Sequence, residues 1–230
     1  MALASALPDR VAVLVSGRGS NLQALLVAID AGQLAAQIVG VFSDRPRAPA
    51  LQQVDPSLRW SRDARSYASR VDFDLEMADA IAATHADWIV CAGYLRILHE
   101  AFIQRFRGRL LNIHPSLLPA YRGLRTHERA IAAGEVAHGA SVHFVVPELD
   151  AGAVIARASV PVEPGDDAGQ LAARVLTVEH PLLVAVMRLA VAGRIAEQGA
   201  TVLLDGHPLF TPLQLGSTLT LTRGVSEMSR

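Results

Sequence analysis

The stretch Leu111-Asn112-Ile113-His114-Pro115-Ser116-Leu117-Leu118-Pro119 starts as an apolar run, then carries an amide and an imidazole two positions apart. Strand side chains alternate between faces, so Asn112 and His114 are expected to point the same way. Pro115 and Pro119 cannot donate ladder hydrogen bonds, so the strand should end here and open into a loop. An amide donor and a titratable ring aimed at one point suit a carbonyl undergoing attack. A third group, Asp150, sits in the turn Leu149-Asp150-Ala151-Gly152, just after a run that holds His143. An Asp in a turn ordinarily caps it. Brought near His114, the same carboxylate would favour the imidazolium and could relay protons.

Ser16-Gly17-Arg18-Gly19-Ser20-Asn21 is another candidate, lying between an apolar run (Val11 to Val15) and residues with helical spacing. Glycines there let the backbone approach a ligand, and the helix start offers unpaired N–H groups to an anion. The spacing is neither that of a nucleotide P-loop nor Gly-x-Gly-x-x-Gly, and a plain strand-to-helix turn fits it equally well.

The elements that must position these groups alternate. Val11 to Val15, Ile38 to Phe42, Trp88 to Ala92 and Leu110 to Ile113 read as buried strands. Leu22 to Ile29, Phe73 to Thr84, Ile97 to Phe106 and Thr126 to Ala133 read as helices between or after them. Ser43 to Ser66 shows little periodicity and reads mostly as loop. Ser141 to Val146 and Val154 to Val160 then form two extended runs around a hairpin-like connection. Gln170 to Ala192 is expected to be a long helix that Pro181 kinks or breaks, followed by a small hairpin around Asp205-Gly206. The expected fold is α/β: a mixed, mostly parallel twisted sheet with helices on both faces. Its N-terminal half is Rossmann-like and its C-terminal half carries antiparallel strands. Residues 1–10 are expected to be an extension, 11–213 one domain, and 214–230 a loose tail.

Bulk composition narrows the chemistry. Apolar residues make up 51% of 230, yet no unbroken apolar run approaches the roughly 20 residues of a membrane span. Met1 to Asp9 lack the basic start of a signal peptide, so a cytoplasmic protein is expected. A formal net charge of −1 argues against a broad basic field for nucleic acid. All 21 basic residues are arginine, which excludes Schiff-base and P-loop lysine chemistry. Cys91 is the lone cysteine and reads as a buried hydrophobe, so no intrachain disulfide is possible. His127, His138 and His143 lack compact ligand spacing, and no metal is expected. His85, His99 and His207 read as surface residues.

Taken together, the motifs resemble the phosphoribosylglycinamide formyltransferase family of folate-dependent enzymes, over Val11 to about Leu204. The resemblance rests on Ser16-Gly17-Arg18-Gly19-Ser20-Asn21-Leu22-Gln23, Ala92-Gly93-Tyr94-Leu95-Arg96-Ile97-Leu98 and the Asn112 run. It also rests on His138-Gly139-Ala140-Ser141-Val142-His143 and Glu148-Leu149-Asp150-Ala151-Gly152. It implies formyl transfer from 10-formyltetrahydrofolate, as cosubstrate, to the amine of a phosphorylated ribonucleotide, in purine synthesis. It implies catalytic roles for Asn112, His114 and Asp150. Gly19, Ser20 and Asn21 would hold the phosphate, and Glu179 the amine or ribose end. Arg70, Leu95, Arg96, Ile97, Leu98, Asn112, Val146 and Asp150 would hold the folate.

The partners implied are small molecules, with no nucleic acid and no membrane, in a monomer or homodimer. Arg125 stands where some relatives have histidine, and Ser43 to Ser66 match poorly. Methionyl-tRNA formyltransferase and formyltetrahydrofolate hydrolase share the core motif but add domains for which this chain has no room. A non-catalytic Rossmann-type nucleotide-binding module would explain the glycine turn, yet not the recurrence of amide, imidazole and carboxylate.

Overall fold

A computed structural model describes residues 7–223. Its main sheet has nine strands in the order β12-β11-β7-β6-β5-β4-β1-β2-β3. In chain order, the first half runs β1 (Asp9–Val15), α1 (Ser20–Asp30), β2 (Ala36–Ser43), β3 (Arg59–Ser61), α2 (Arg70–Ala83), β4 (Trp88–Cys91), α3 (Glu100–Arg105) and β5 (Leu110–His114). The strands β3, β2, β1, β4 and β5 run parallel to one another. After α4 (Thr126–Ala132), β6 (Ala137–Phe144) pairs antiparallel with β5, and β7 (Val154–Pro161) antiparallel with β6. The mixed, mostly parallel sheet expected from the sequence is therefore the fold.

Alternation explains the two layers. In β1, Val11, Val13 and Val15 join one apolar cluster with Leu22 and Leu25 of α1 and Leu182 and Val186 of α5 (Ala168–Val191). Ala12 and Leu14 join the other, with Phe73 and Met77 of α2 and Phe102 of α3. Helices thus cover both faces, as a parallel sheet requires.

Several local expectations are corrected. The helix read from Ile97 begins only at Glu100, because His99 caps it: the His99 Nδ1 accepts the Ala101 N–H at 3.2 Å. Residues 93–99 are an irregular loop instead, entered through Gly93 at φ +79°. Ser43 to Ser66 includes β3 at the sheet edge, where Trp60 stacks near Phe42 and Phe73 at 5.9 and 5.8 Å. Three residues are too few to show a period.

Pro181 does not break α5, which runs 24 residues. An interior proline costs a helix roughly 3 kcal/mol. The flanking Leu182, Leu183 and Val186 are wholly buried, and that packing offsets the cost. The expected loose tail is partly ordered. β11 (Leu213–Leu215) pairs parallel with β7, and β12 (Leu221–Arg223) pairs antiparallel with β11; residues 224–230 lie outside the described residues. The small sheet β10 (His207–Leu209), β9 (Thr201–Leu204) and β8 (Ile195–Gln198) contains the expected hairpin plus one further strand.

Candidate active site

The end of β5 carries the Asn112–His114 pair into a cavity of about 550 Å³. Both side chains line it, as alternation predicted. Antiparallel pairing sets His143 of β6 opposite Asn112, and Ser141 opposite His114. The connection from β6 to β7 then returns Asp150 to the same place, in a left-handed conformation at φ +48°. Its Oδ2 lies 3.4 Å from His114 Nδ1 and accepts the Gly123 N–H at 2.8 Å. The fold thus brings Asn112, His114 and Asp150 to one wall.

Hydrogen bonding orients each ring. His114 Nε2 lies 3.0 Å from the Tyr121 carbonyl, which can only accept, so this nitrogen carries a proton. The other nitrogen, Nδ1, faces the Asp150 carboxylate at 3.4 Å. His143 works the other way. Its Nδ1–H donates to the Phe144 carbonyl at 2.7 Å, which leaves Nε2 to accept the Asn112 amide at 3.0 Å. Burial pushes the His143 imidazole well down, outweighing the nearby Asp150 charge, and so keeps it the neutral acceptor this bond needs. His143 is the functional residue missed by sequence reasoning. Its place opposite Asn112 is a matter of strand register, which no local signal carries.

Another wall is the loop Leu95 to Leu98, with Val145, Val146 and Leu149. Leu95 and Ile97 are about half exposed there. Among the described residues, the backbone groups of Arg96, Ile97 and Leu98 make no hydrogen bond. Glu179 of α5 also lines the cavity; its buried carboxylate accepts the Asn21 amide at 2.6 Å, and burial pushes its carboxyl up.

Gly19, Ser20 and Asn21 do not line the cavity but adjoin it through that bond. Gly19 takes φ +81° as the cap of α1, and no side chain caps the helix, so its first N–H groups remain available to an anion. A Cβ on Gly19 would come within 2.5 Å of the Ala50 Cβ. Arg70 is exposed at the start of α2 and is not brought into the cavity wall. Among the described residues, no group of three or more His, Cys, Asp or Glu is placed to hold a metal ion. No helix among them is long and apolar enough to cross a membrane.

Comparison with known proteins gives the site its context. The family model described as formyl transferase matches residues 9–187. The phosphoribosylglycinamide formyltransferase of Escherichia coli is 41% identical over 201 residues, covering 86% of this chain and 95% of that protein. The phosphoribosylglycinamide formyltransferase structure from Coxiella burnetii, in complex with CHES, is 42% identical, with TM-score 0.82 over 88% of this chain and 96% of that one. Glycinamide ribonucleotide transformylase 1 from Symbiobacterium toebii is 36% identical, with TM-score 0.83 over 89% and 98%.

Proposed function

Since this chain belongs to the formyl transferase family, we propose that its cavity transfers a formyl group from 10-formyltetrahydrofolate to the amine of 5'-phosphoribosylglycinamide, a step of purine biosynthesis. The observation that carries this reading is the meeting of Asn112, His114 and Asp150 beside a wall with free backbone groups, next to an uncapped helix start.

The ribonucleotide phosphate sits on the N–H groups of Gly19, Ser20 and Asn21, and Glu179 holds the amine or ribose end. The flat heterocycle of the folate lies against Leu95, Arg96, Ile97 and Leu98, with Val146 closing the other side. Arg70, outside the cavity, can reach only a distal part of the folate.

The substrate nitrogen attacks the formyl carbon and a C–N bond forms. The carbonyl oxygen takes the electron pair as a tetrahedral centre develops. Asn112 has one amide hydrogen committed to His143 and the other free for that oxygen. His114 Nε2 is committed to the Tyr121 carbonyl, so the charge-assisted bond to the developing oxyanion comes from Nδ1, which faces Asp150 at 3.4 Å without a hydrogen bond to it. One preorganised donor of this kind lowers a barrier by roughly 3–4 kcal/mol. Asp150 holds the His114 charge and takes the proton from the attacking amine. That proton passes to the folate N10 as its bond to carbon breaks and the new carbonyl reforms. Both substrates are small and soluble, and we assign the reaction to the cytoplasm.

An assay of folate release with and without the ribonucleotide tests this. Release that needs the ribonucleotide, with formylated product, is expected. Equal release in its absence would overturn the transfer reading in favour of hydrolysis.

A further inference from the structure

The loop of residues 93–99 follows no regular secondary structure, yet it must stay put if its unpaired backbone is to meet a ligand. Two buried side chains hold it. At one side, the Ser16 hydroxyl accepts the Leu95 N–H at 3.0 Å. Its single proton goes to Asp44 Oδ1 at 2.6 Å, so only lone pairs face Leu95. At the other side, Asp74 Oδ2 accepts the His99 N–H at 2.7 Å. Between these tethers, Arg96, Ile97 and Leu98 span without backbone partners among the described residues.

Asp74 is an unexpected residue for this place. It lies in α2 with no solvent exposure, among Phe73, Met77 and Ala78 of an apolar cluster. A buried carboxylate costs stability unless it is paired and hydrogen-bonded. Here the pairing is incomplete, since the buried Asp74 Oδ1 has no partner. The Arg96 guanidinium lies over the Phe73 ring at 5.0 Å, its Nε also buried and unpartnered. Burial raises the Asp74 carboxyl, and the His99 N–H and the Arg96 and Arg70 charges only partly oppose it. A core carboxylate whose one bond goes to the backbone of a cavity loop points to placement of that loop.

We propose that Asp74 is a positioning residue for the folate subsite: through the His99 N–H it fixes the span of the loop that presents Arg96, Ile97 and Leu98 to the heterocycle. Asp74 itself touches no substrate. Ser16 is the matching tether, and because it also begins the glycine-rich loop it serves both substrates. The assignment rests on the folate reading of the cavity.

Steady-state kinetics separates a positioning role from a structural one. Asp74→Ala is expected to raise KM for 10-formyltetrahydrofolate by about tenfold or more, the range of a lost charged hydrogen bond, with KM for the ribonucleotide within about twofold. Asp74→Asn keeps an oxygen for His99 and should recover most of the loss. His99→Pro deletes the N–H together with the ring that caps α3, so His99→Ala, which loses the cap alone, is its control; the native φ of −71° suits proline, and the same selective rise is expected in His99→Pro beyond that of His99→Ala. His99→Pro decides the matter if Asp74→Ala does not fold. Equal rises in both KM values, an unchanged folate KM, or an Asp74→Asn enzyme as poor as Asp74→Ala would overturn the proposal. A wild-type enzyme without folate-dependent activity would instead overturn the reading of the cavity.

Discussion

Two walls of one cavity treat polar groups in opposite ways. On the wall built by β5 and β6, Asn112 is held by His143, His114 by the Tyr121 carbonyl and Asp150, and Asp150 by the Gly123 N–H. On the wall built by residues 95–98, backbone groups are left without partners and apolar side chains stay exposed. The first wall spends its hydrogen bonds within the protein, so its groups are aimed before any ligand arrives. The second leaves them unpaired and is held by tethers from beneath. Preorganisation and recognition are thus divided between two surfaces.

The largest test of this division falls on the paired wall. His114→Ala and Asp150→Ala should each lower turnover on the order of 10²–10³-fold, with the circular dichroism spectrum retained. Near-normal formyl transfer in either variant sinks the assignment of these roles.

A smaller contrast comes from one glycine on each wall. A Cβ on Gly152 would lie 1.8 Å from the Phe144 carbonyl oxygen, so Gly152→Ala must move the turn that carries Asp150. Overpacking of this kind costs about 1–3 kcal/mol, a fall in Tm of roughly 2–12 °C in a chain of this size. Gly93 has φ +79° but nothing within 4 Å of a Cβ. Gly93→Ala should therefore cost only the left-handed strain, about 1–2 kcal/mol, and leave turnover close to normal. Equal kinetic damage from both would erase the distinction between the walls.

The smallest effect is in pH. Burial lowers His138, to about 4, and lowers His143 as well, from the usual 6.5. Between these values the unfolded chain binds more protons than the folded one. The histidine contribution is therefore full above pH 6.5 and is lost as pH falls toward 4. Asp74 acts in the reverse sense, because burial raises its carboxyl and the folded state keeps its proton longer. Thermal melts across this range should show a shallower acid loss in His138→Phe and a steeper one in Asp74→Asn. The same slope in both variants and the wild type would contradict it.

Much of this was readable in the chain. Asn112 and His114 share a face because strand side chains alternate, and Pro115 marks where the strand opens. The long helix and the buried strands follow from period alone. The partnership of His143 with Asn112 was hidden, because register between strands 31 residues apart depends on the whole sheet. Ile97 and Leu98 imitate the start of a helix, and only the His99 cap and the Asp74 bond show that the helix waits until Glu100. β3, β11 and β12 have three residues each, too short to display alternation.

The bond from Asn21 to Glu179 joins residues 158 positions apart. A ribosome adds roughly 5–20 residues per second, so α1 waits on the order of 10–30 s before its partner on α5 exists. Until then Asn21 lacks the Glu179 carboxylate, although most of the strands are already made. The side of the cavity lined by Glu179 is therefore completed last. A chain ended before α5 contains Asn112, His114 and Asp150 but lacks Glu179 and the core residues Leu182 and Val186.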